Sequence, residues 1–318
     1  MWGGLQERGR FVAVLSSSCQ VAPVLSMTGA GLFCSSNCEC QGIQYVFGVV
    51  TMAMAFGFFI VYSDIPSENR FVKLVYPALI ADEQKNGNKE EPFSWQSRKT
   101  VFLSPSTWGL LITAFGDALG YQMFLQYGPT YMKTSLHFNV TQARLLLTLP
   151  FLFSIGVGFL GGTLLDKIAS VDMNTKTTWL ISGSQATMTI CFGLLIALPE
   201  KLPLLSHVVL TLAFISSGLH RVGLLCACPS LSKKFAYVLS LVVSMIIGVA
   251  TLVLRAMVSI LAPRHVKHEW ETLFYVIVAV LLGCNAGFCL LTKLESERRR
   301  TRARRCSEGS DVTVTSRF

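Results

Sequence analysis

Apolar and polar positions along this chain fall into long blocks rather than a fine alternation. Eight blocks hold almost no charge, at residues 11–34, 43–62, 107–130, 145–165, 178–198, 204–227, 236–262 and 272–292. A helix needs about 20 apolar residues to cross ~30 Å of hydrocarbon, so each block predicts one spanning helix. Backbone amides in lipid must be satisfied within their own segment, which makes these segments helices packed as a bundle. The predicted fold class is all-α, a polytopic transmembrane helix bundle. The first block lacks the short apolar core and small-residue cleavage site of a signal peptide, and its 24 uncharged residues are enough to span.

The longest polar stretch, 63–106, contains Asp82-Glu83-Gln84-Lys85-Asn86-Gly87-Asn88-Lys89-Glu90-Glu91 and separates two spans from six. Such a composition predicts a linker. Four segments result: 1–62 with two spans, the linker 63–106, a six-helix unit 107–292, and a basic tail 293–318.

Composition agrees with this reading. Of the 318 residues 52% are apolar and only 14% charged, against about 25% charged in soluble domains, and the mean hydropathy is +0.52. The net charge of +9 raises a nucleic-acid partner, but its distribution points to a membrane instead. Of 27 Lys and Arg, 20 lie in residues 1–10, 63–106, 166–177, 228–235 and the tail after 292, whereas the intervening loops hold five. This asymmetry is the positive-inside pattern and predicts that both termini face the cytosol. Arg298-Arg299-Arg300-Thr301-Arg302-Ala303-Arg304-Arg305 then lies beside the last helix, next to anionic headgroups. The expected partner of this chain is a lipid bilayer, with no nucleic acid.

Cys34, Cys38 and Cys40 crowd the non-cytosolic loop between the first two spans and are candidates for one disulfide; further ligands for a metal are lacking there. Asn139-Val140-Thr141 is a glycosylation sequon in the next non-cytosolic loop, which makes Asn139 a candidate acceptor. There is no phosphate-cradling glycine loop, nucleophile elbow or zinc-protease helix, which excludes the ATP-driven and hydrolytic signatures and expects no cofactor.

Trp2 with Glu7-Arg8, Ser104-Pro105, Gly120-Tyr121, Pro129-Thr130-Tyr131-Met132-Lys133, Leu149-Pro150 and Gly161-Gly162 with Asp166, taken in order, resemble a known family, the anion-cation symporters of the major facilitator superfamily. This group includes the vesicular glutamate transporters, sialin and the type I sodium-phosphate cotransporters. Trp2 and Glu7-Arg8 resemble the segment before the family's fifth helix, with Gly4 and Leu5 in place of a proline pair. Gln20-Val21, Val24, Ser26-Met27 and Gly31 continue the likeness. Ser104-Pro105, Trp108, Phe115, Gly120-Tyr121, Pro129-Thr130-Tyr131-Met132-Lys133, Leu136 and Phe138-Asn139 resemble the seventh helix and the loop after it. Leu149-Pro150, Gly161-Gly162 and Asp166 are similar to the eighth helix and its Gly-x-x-x-Asp turn. The tenth-to-eleventh helix region keeps Pro229 and Phe235-Ala236 but has no Asp before them. The resemblance implies a major facilitator bundle whose eight spans correspond to helices five to twelve, without counterparts of helices one to four.

It further implies a secondary transporter of small organic or inorganic anions, coupled to a proton or sodium gradient by alternating access. The other reading open at this point is a chain of that fold that does not transport, or part of a longer one, because two helices cannot supply half of a six-plus-six rocker. Either the plasma membrane or an endolysosomal or vesicular membrane fits. Asp117 lies where the seventh helix carries polar residues toward the central cavity; His220 and Arg221 lie on the tenth, opposite it. These three are the candidate substrate-binding or ion-coupling residues. A carboxylate and an imidazole can exchange protons, and a guanidinium presents a fork to an oxyanion. Asp117 and Arg221 are expected to approach one another, since each charge is costly alone in lipid. Arg255 is expected to snorkel to the interface, and His207 to be interfacial.

Overall fold

The computed structural model describes residues 8–35, 42–61, 103–134, 140–167, 172–198, 202–231, 236–264 and 266–315. Nine α-helices occur among them: α1 (Arg8–Ser35), α2 (Gly42–Val61), α3 (Pro105–Gln122), α4 (Gly128–Thr134), α5 (Val140–Lys167), α6 (Met173–Ala197), α7 (Pro203–Leu231), α8 (Ala236–Leu261) and α9 (Lys267–Thr315). A π-helical turn, Met123–Tyr127, joins α3 to α4 without a break, so these three pieces form one rod from Pro105 to Thr134. Each of the eight apolar blocks falls on a helix, and the tail after 292 continues α9.

Local chemistry sets several boundaries. Ser104 is extended at the start of α3 and Pro105 follows at the first helical position, where its missing N–H removes nothing and its fixed φ suits a helix. Pro23 and Pro150 stand inside α1 and α5. A spanning helix tolerates them because neighbouring helices and hydroxyls re-satisfy the freed carbonyls.

Five of the eight expected spans are long and apolar enough by length and composition to cross a membrane: Thr148–Lys167, Asn174–Ala197, Pro203–Pro229, Val238–Leu261 and Lys267–Glu295. The apolar stretches of α1 and α2, Val12–Ser26 and Gln44–Ile60, are shorter. The α3 rod carries Thr113, Asp117, Gln122 and Gln126, which dilute its hydropathy. It is nonetheless central, packing against α9, α8 and α7. α7 adds contacts to α6 and α5, and α1 lies against α5 and α7. The described side chains of α2 from Gln44 to Ile60 are all exposed, as are Leu152, Phe153 and Leu160 of α5 and Met245, Leu252 and Ile260 of α8. In a lipid-embedded bundle such outward apolar faces are solvated by acyl chains.

The core beyond the middle of α3 is aromatic. Phe214 of α7 stacks on Tyr121 at 5.1 Å and meets Phe124 at 4.4 Å, and Phe151 of α5 packs edge-on against Phe214 at 4.7 Å. Tyr131 meets Trp270 and Phe274 of α9 edge-on, at 5.8 and 5.3 Å. Lipid supplies no hydrophobic drive between helices, so this packing and close approach at small residues hold the bundle. Of the glycines of α5, Gly161 makes such an approach, with Leu219 2.6 Å from where a β-carbon would stand. Gly156 meets nothing within 4 Å.

Candidate functional site: a buried carboxylate–imidazole pair

Thr113, Asp117 and Tyr121 follow one another at four-residue intervals on α3, and Ser217, His220 and Arg221 share one stripe of α7. Residues three and four apart lie on one helical face, so packing α3 against α7 brings six polar side chains together. Ser217 Oγ donates to Asp117 Oδ2 at 3.0 Å, and His220 Nδ1 lies 3.5 Å from the same oxygen. On the other edge of the ring, Nε2 is 3.1 Å from Thr113 Oγ1. Thr113 in turn donates to Oε1 of Gln185 on α6. Asp117 is 4% exposed, and Thr113, Gln185, Ser217 and His220 are 0% exposed, so only these partners replace hydration.

The chain of bonds has a direction. A threonine hydroxyl carries one proton, and here it goes to Gln185. The Thr113 oxygen is then the acceptor for Nε2–H of His220, which turns Nδ1 toward Asp117. Asp117 Oδ1, His220 Nδ1 and Gln185 Nε2 are buried with no hydrogen-bond partner, so the 3.5 Å approach of Nδ1 to Asp117 is a contact rather than a formed hydrogen bond.

Arg221 sits differently from the expected position. Its guanidinium carbon lies 3.5 Å from the centroid of the Tyr121 ring, one turn along α3 from Asp117, and it makes no ion pair among the described residues. Asp117 pairs with His220 instead, because His220 and Ser217 occupy the part of α7 level with the carboxylate while Arg221 projects toward Tyr121. A desolvated cation over an aromatic face gains about 2 kcal/mol, which offsets part of its burial. Close approach of helices makes the site compact: a β-carbon on Gly116 would stand 2.5 Å from Gln185 Nε2 and 2.9 Å from Cys284 Cβ of α9, and one on Gly218 would collide with Ser154 Oγ.

The structure thus gathers Asp117 and His220 directly, with Arg221 beside them. Thr113, Gln185, Ser217 and Tyr121 complete the site and were not singled out as site residues from sequence. The available signal was the four-residue spacing of Thr113 and Tyr121 about Asp117, and the placing of Ser217 three residues before His220. His207, expected at an interface, is buried, with Nε2 3.5 Å from Thr211 Oγ1. Arg255 is exposed, and its Nε donates to Gln126 Oε1 at 3.1 Å. Asn139, Cys38, Cys40, the side chain of Cys34 and residues 63–102 lie outside the described residues. Cys191, Cys228 and Cys284 are free and buried, and Cys226 is buried. Among the described residues no group of three or more His, Cys, Asp and Glu side chains is placed to hold a metal ion. A separate cavity of ≈ 520 Å³ opens at the Pro105 end of α3, lined by Ser106, Asp172, Thr177, Phe288 and Lys293 among others, away from the pair.

Comparison with known proteins places this helical bundle in a family. The chain belongs to the major facilitator superfamily, whose family model matches residues 1–232. It is 22% identical over 307 residues to sodium-dependent phosphate transport protein 1 of Mus musculus, covering 92% of this chain and 63% of that protein. It is 21% identical to sialin of Homo sapiens over 92% of this chain and 59% of sialin. It is 24% identical to the probable chloroplastic anion transporter 6 of Arabidopsis thaliana over 86% of this chain and 52% of that one. These relatives fall in the anion-cation symporter group that the residue pattern resembles. The chain spans 63% or less of the length of these three relatives.

Proposed function

We propose that this chain takes part in secondary transport of small organic or inorganic anions, with Asp117 and His220 as the coupling pair and Arg221 as the group nearest to them that can meet an anion. The observation that carries the reading is the 3.5 Å contact of Asp117 with His220, dry and bridging α3 and α7. Helices that move relative to one another in alternating access would make and break such a contact. Names of the relatives supply the substrate class: phosphate transport in one, anion transport in another. In this reading residues 107–292 form a six-helix half, 1–62 contribute two spans of the other half, and 63–106 and 293–318 are cytosolic. The second reading is a member of this fold that does not itself transport, or part of a longer transporter; the chain spans 63% of the first relative named.

The test uses the full chain in proteoliposomes with labelled inorganic phosphate and an imposed proton or sodium gradient. Gradient-stimulated uptake above protein-free vesicles is expected, with Asp117→Asn lowering it by about tenfold or more, the effect of ~1.4 kcal/mol. Uptake no greater than in empty vesicles under both gradients selects the second reading.

The proposed orientation rests on the 20 basic residues on one side against five on the other. A protease site inserted in 63–106 is expected to be cut only from the cytosolic side; cleavage in intact cells by added protease would reverse the topology.

A further inference from the structure

Arg255 stands about 9 Å along α8 from Leu261, and its side chain is exposed, yet it is tied sideways to the π-helical turn rather than released toward the helix end. The hydrogen bonds run in a chain. Arg255 Nε donates to Gln126 Oε1 at 3.1 Å, and Gln126 Nε2 donates to Gln122 Oε1 at 3.0 Å. A guanidinium can only donate, so Gln126 must present its oxygen to Arg255 and its nitrogen to Gln122, which fixes the polarity of the whole series. Each amide oxygen accepts one of these bonds and keeps a second lone pair. The donors with no partner among the described residues are the two terminal nitrogens of Arg255 and the amide nitrogen of Gln122.

No carboxylate neutralises this group. Arg255 makes no ion pair among the described residues, and the acids of the α8–α9 turn are engaged elsewhere: Glu269 accepts from the Arg264 amide at 2.9 Å and Glu271 pairs with Lys267 at 3.7 Å. An exposed charge within a span is costly against acyl chains, so the exposed face of Arg255 requires a polar filling. The π-turn adds a second indication, because single π-turns inside α-helices recur at functional sites. Gln126 lies about 13 Å along the rod from Asp117, which separates this track from the buried pair.

We infer that Arg255, Gln126 and Gln122 form an oxyanion-binding subsite that takes the phosphate or carboxylate group of a small solute or of a lipid headgroup. The guanidinium fork supplies charge and paired donors and the Gln122 amide a third direction. Gln126 acts as a positioning residue that holds the fork against α3. Binding at equilibrium requires no transport, so the inference stands or falls apart from the function proposed above.

The experiment uses the full chain in a neutral detergent, with inorganic phosphate and phosphatidylglycerol as separate probes and thermal unfolding as the readout. Phosphate is expected to raise the unfolding temperature, with apparent Kd about tenfold weaker in Arg255→Gln and about threefold weaker in Gln122→Leu. Stabilisation by phosphatidylglycerol but not by phosphate, lost in the same variants, supports the same oxyanion chemistry with a lipid as its source. An effect of both probes that is unchanged in Arg255→Gln, or no effect of either probe on the parent chain, overturns the inference. Where Arg255→Gln does not fold, Gln122→Leu decides, because it leaves the Arg255–Gln126 bond in place; unchanged binding there overturns the inference too.

Discussion

His220→Leu is expected to destabilise the folded bundle by about 3–5 kcal/mol, because it leaves Asp117 buried with Ser217 as its one partner. Asp117→Leu is expected to cost a similar amount, stranding the imidazole between Thr113 and an apolar side chain. The double replacement should recover most of the loss, since a dry pair exchanged for well-packed apolar groups is close to neutral. Reversible unfolding in mixed micelles measures the cycle, and single losses of this size with a near-neutral double imply a coupling of about 5 kcal/mol or more in magnitude. Asp117→Leu combined with Arg221→Leu should instead add within ~0.5 kcal/mol, as the contact of Arg221 is with Tyr121. Additive losses for Asp117 and His220, with coupling between Asp117 and Arg221, would show that the charges pair in the other way.

Gly116→Leu is expected to prevent assembly of the bundle. Its first side-chain atom would stand 2.9 Å from Cys284 Cβ and 2.5 Å from Gln185 Nε2, so α3 would have to withdraw from α9 and α6 together. Cys284 Cβ is anchored to its backbone and cannot swing aside, whereas the Gln185 amide can. Overpacking of this kind costs about 1–3 kcal/mol for modest additions, so Gly116→Ala should fold with a lowered unfolding temperature while the leucine variant aggregates. Gly183→Ala is the control: nothing stands within 4 Å of that site, and alanine is about 0.5–1 kcal/mol better than glycine in a helix. Fluorescence-detected gel filtration separates the outcomes; a monodisperse, thermally unaltered Gly116→Leu protein would contradict the described approach of α3 to its neighbours.

The helices were legible because lipid imposes one rule on every backbone amide, and the blocks that obey it stand out without any knowledge of contacts. The α3 rod shows where that signal weakens: its polar side chains lower its hydropathy below that of its neighbours, although it is central to the packing. Asp117, His220 and Arg221 were visible as charges or titratable groups out of place in lipid. Their pairing was not, because a choice between adjacent residues His220 and Arg221 depends on helix rotation, and one residue turns a helix by 100°. Thr113 and Gln185 were hidden for another reason: neutral polar residues are ordinary in spanning helices, and only the meeting of α3 with α6 gives them a role. The track of Gln122, Gln126 and Arg255 likewise depends on a π-turn that no composition signals.

The bond from Ser217 to Asp117 joins residues 100 positions apart. A ribosome adding 5–20 residues per second takes about 5–20 s to make that stretch. For that interval Asp117 is already synthesised and its partners are not. Among the described residues, all five segments long and apolar enough to cross a membrane follow α3, and α3 is not one of them. Stable membrane insertion of this helix is therefore expected to be favoured by a later event, the arrival of α7, whose Ser217 and His220 cover the Asp117 carboxylate.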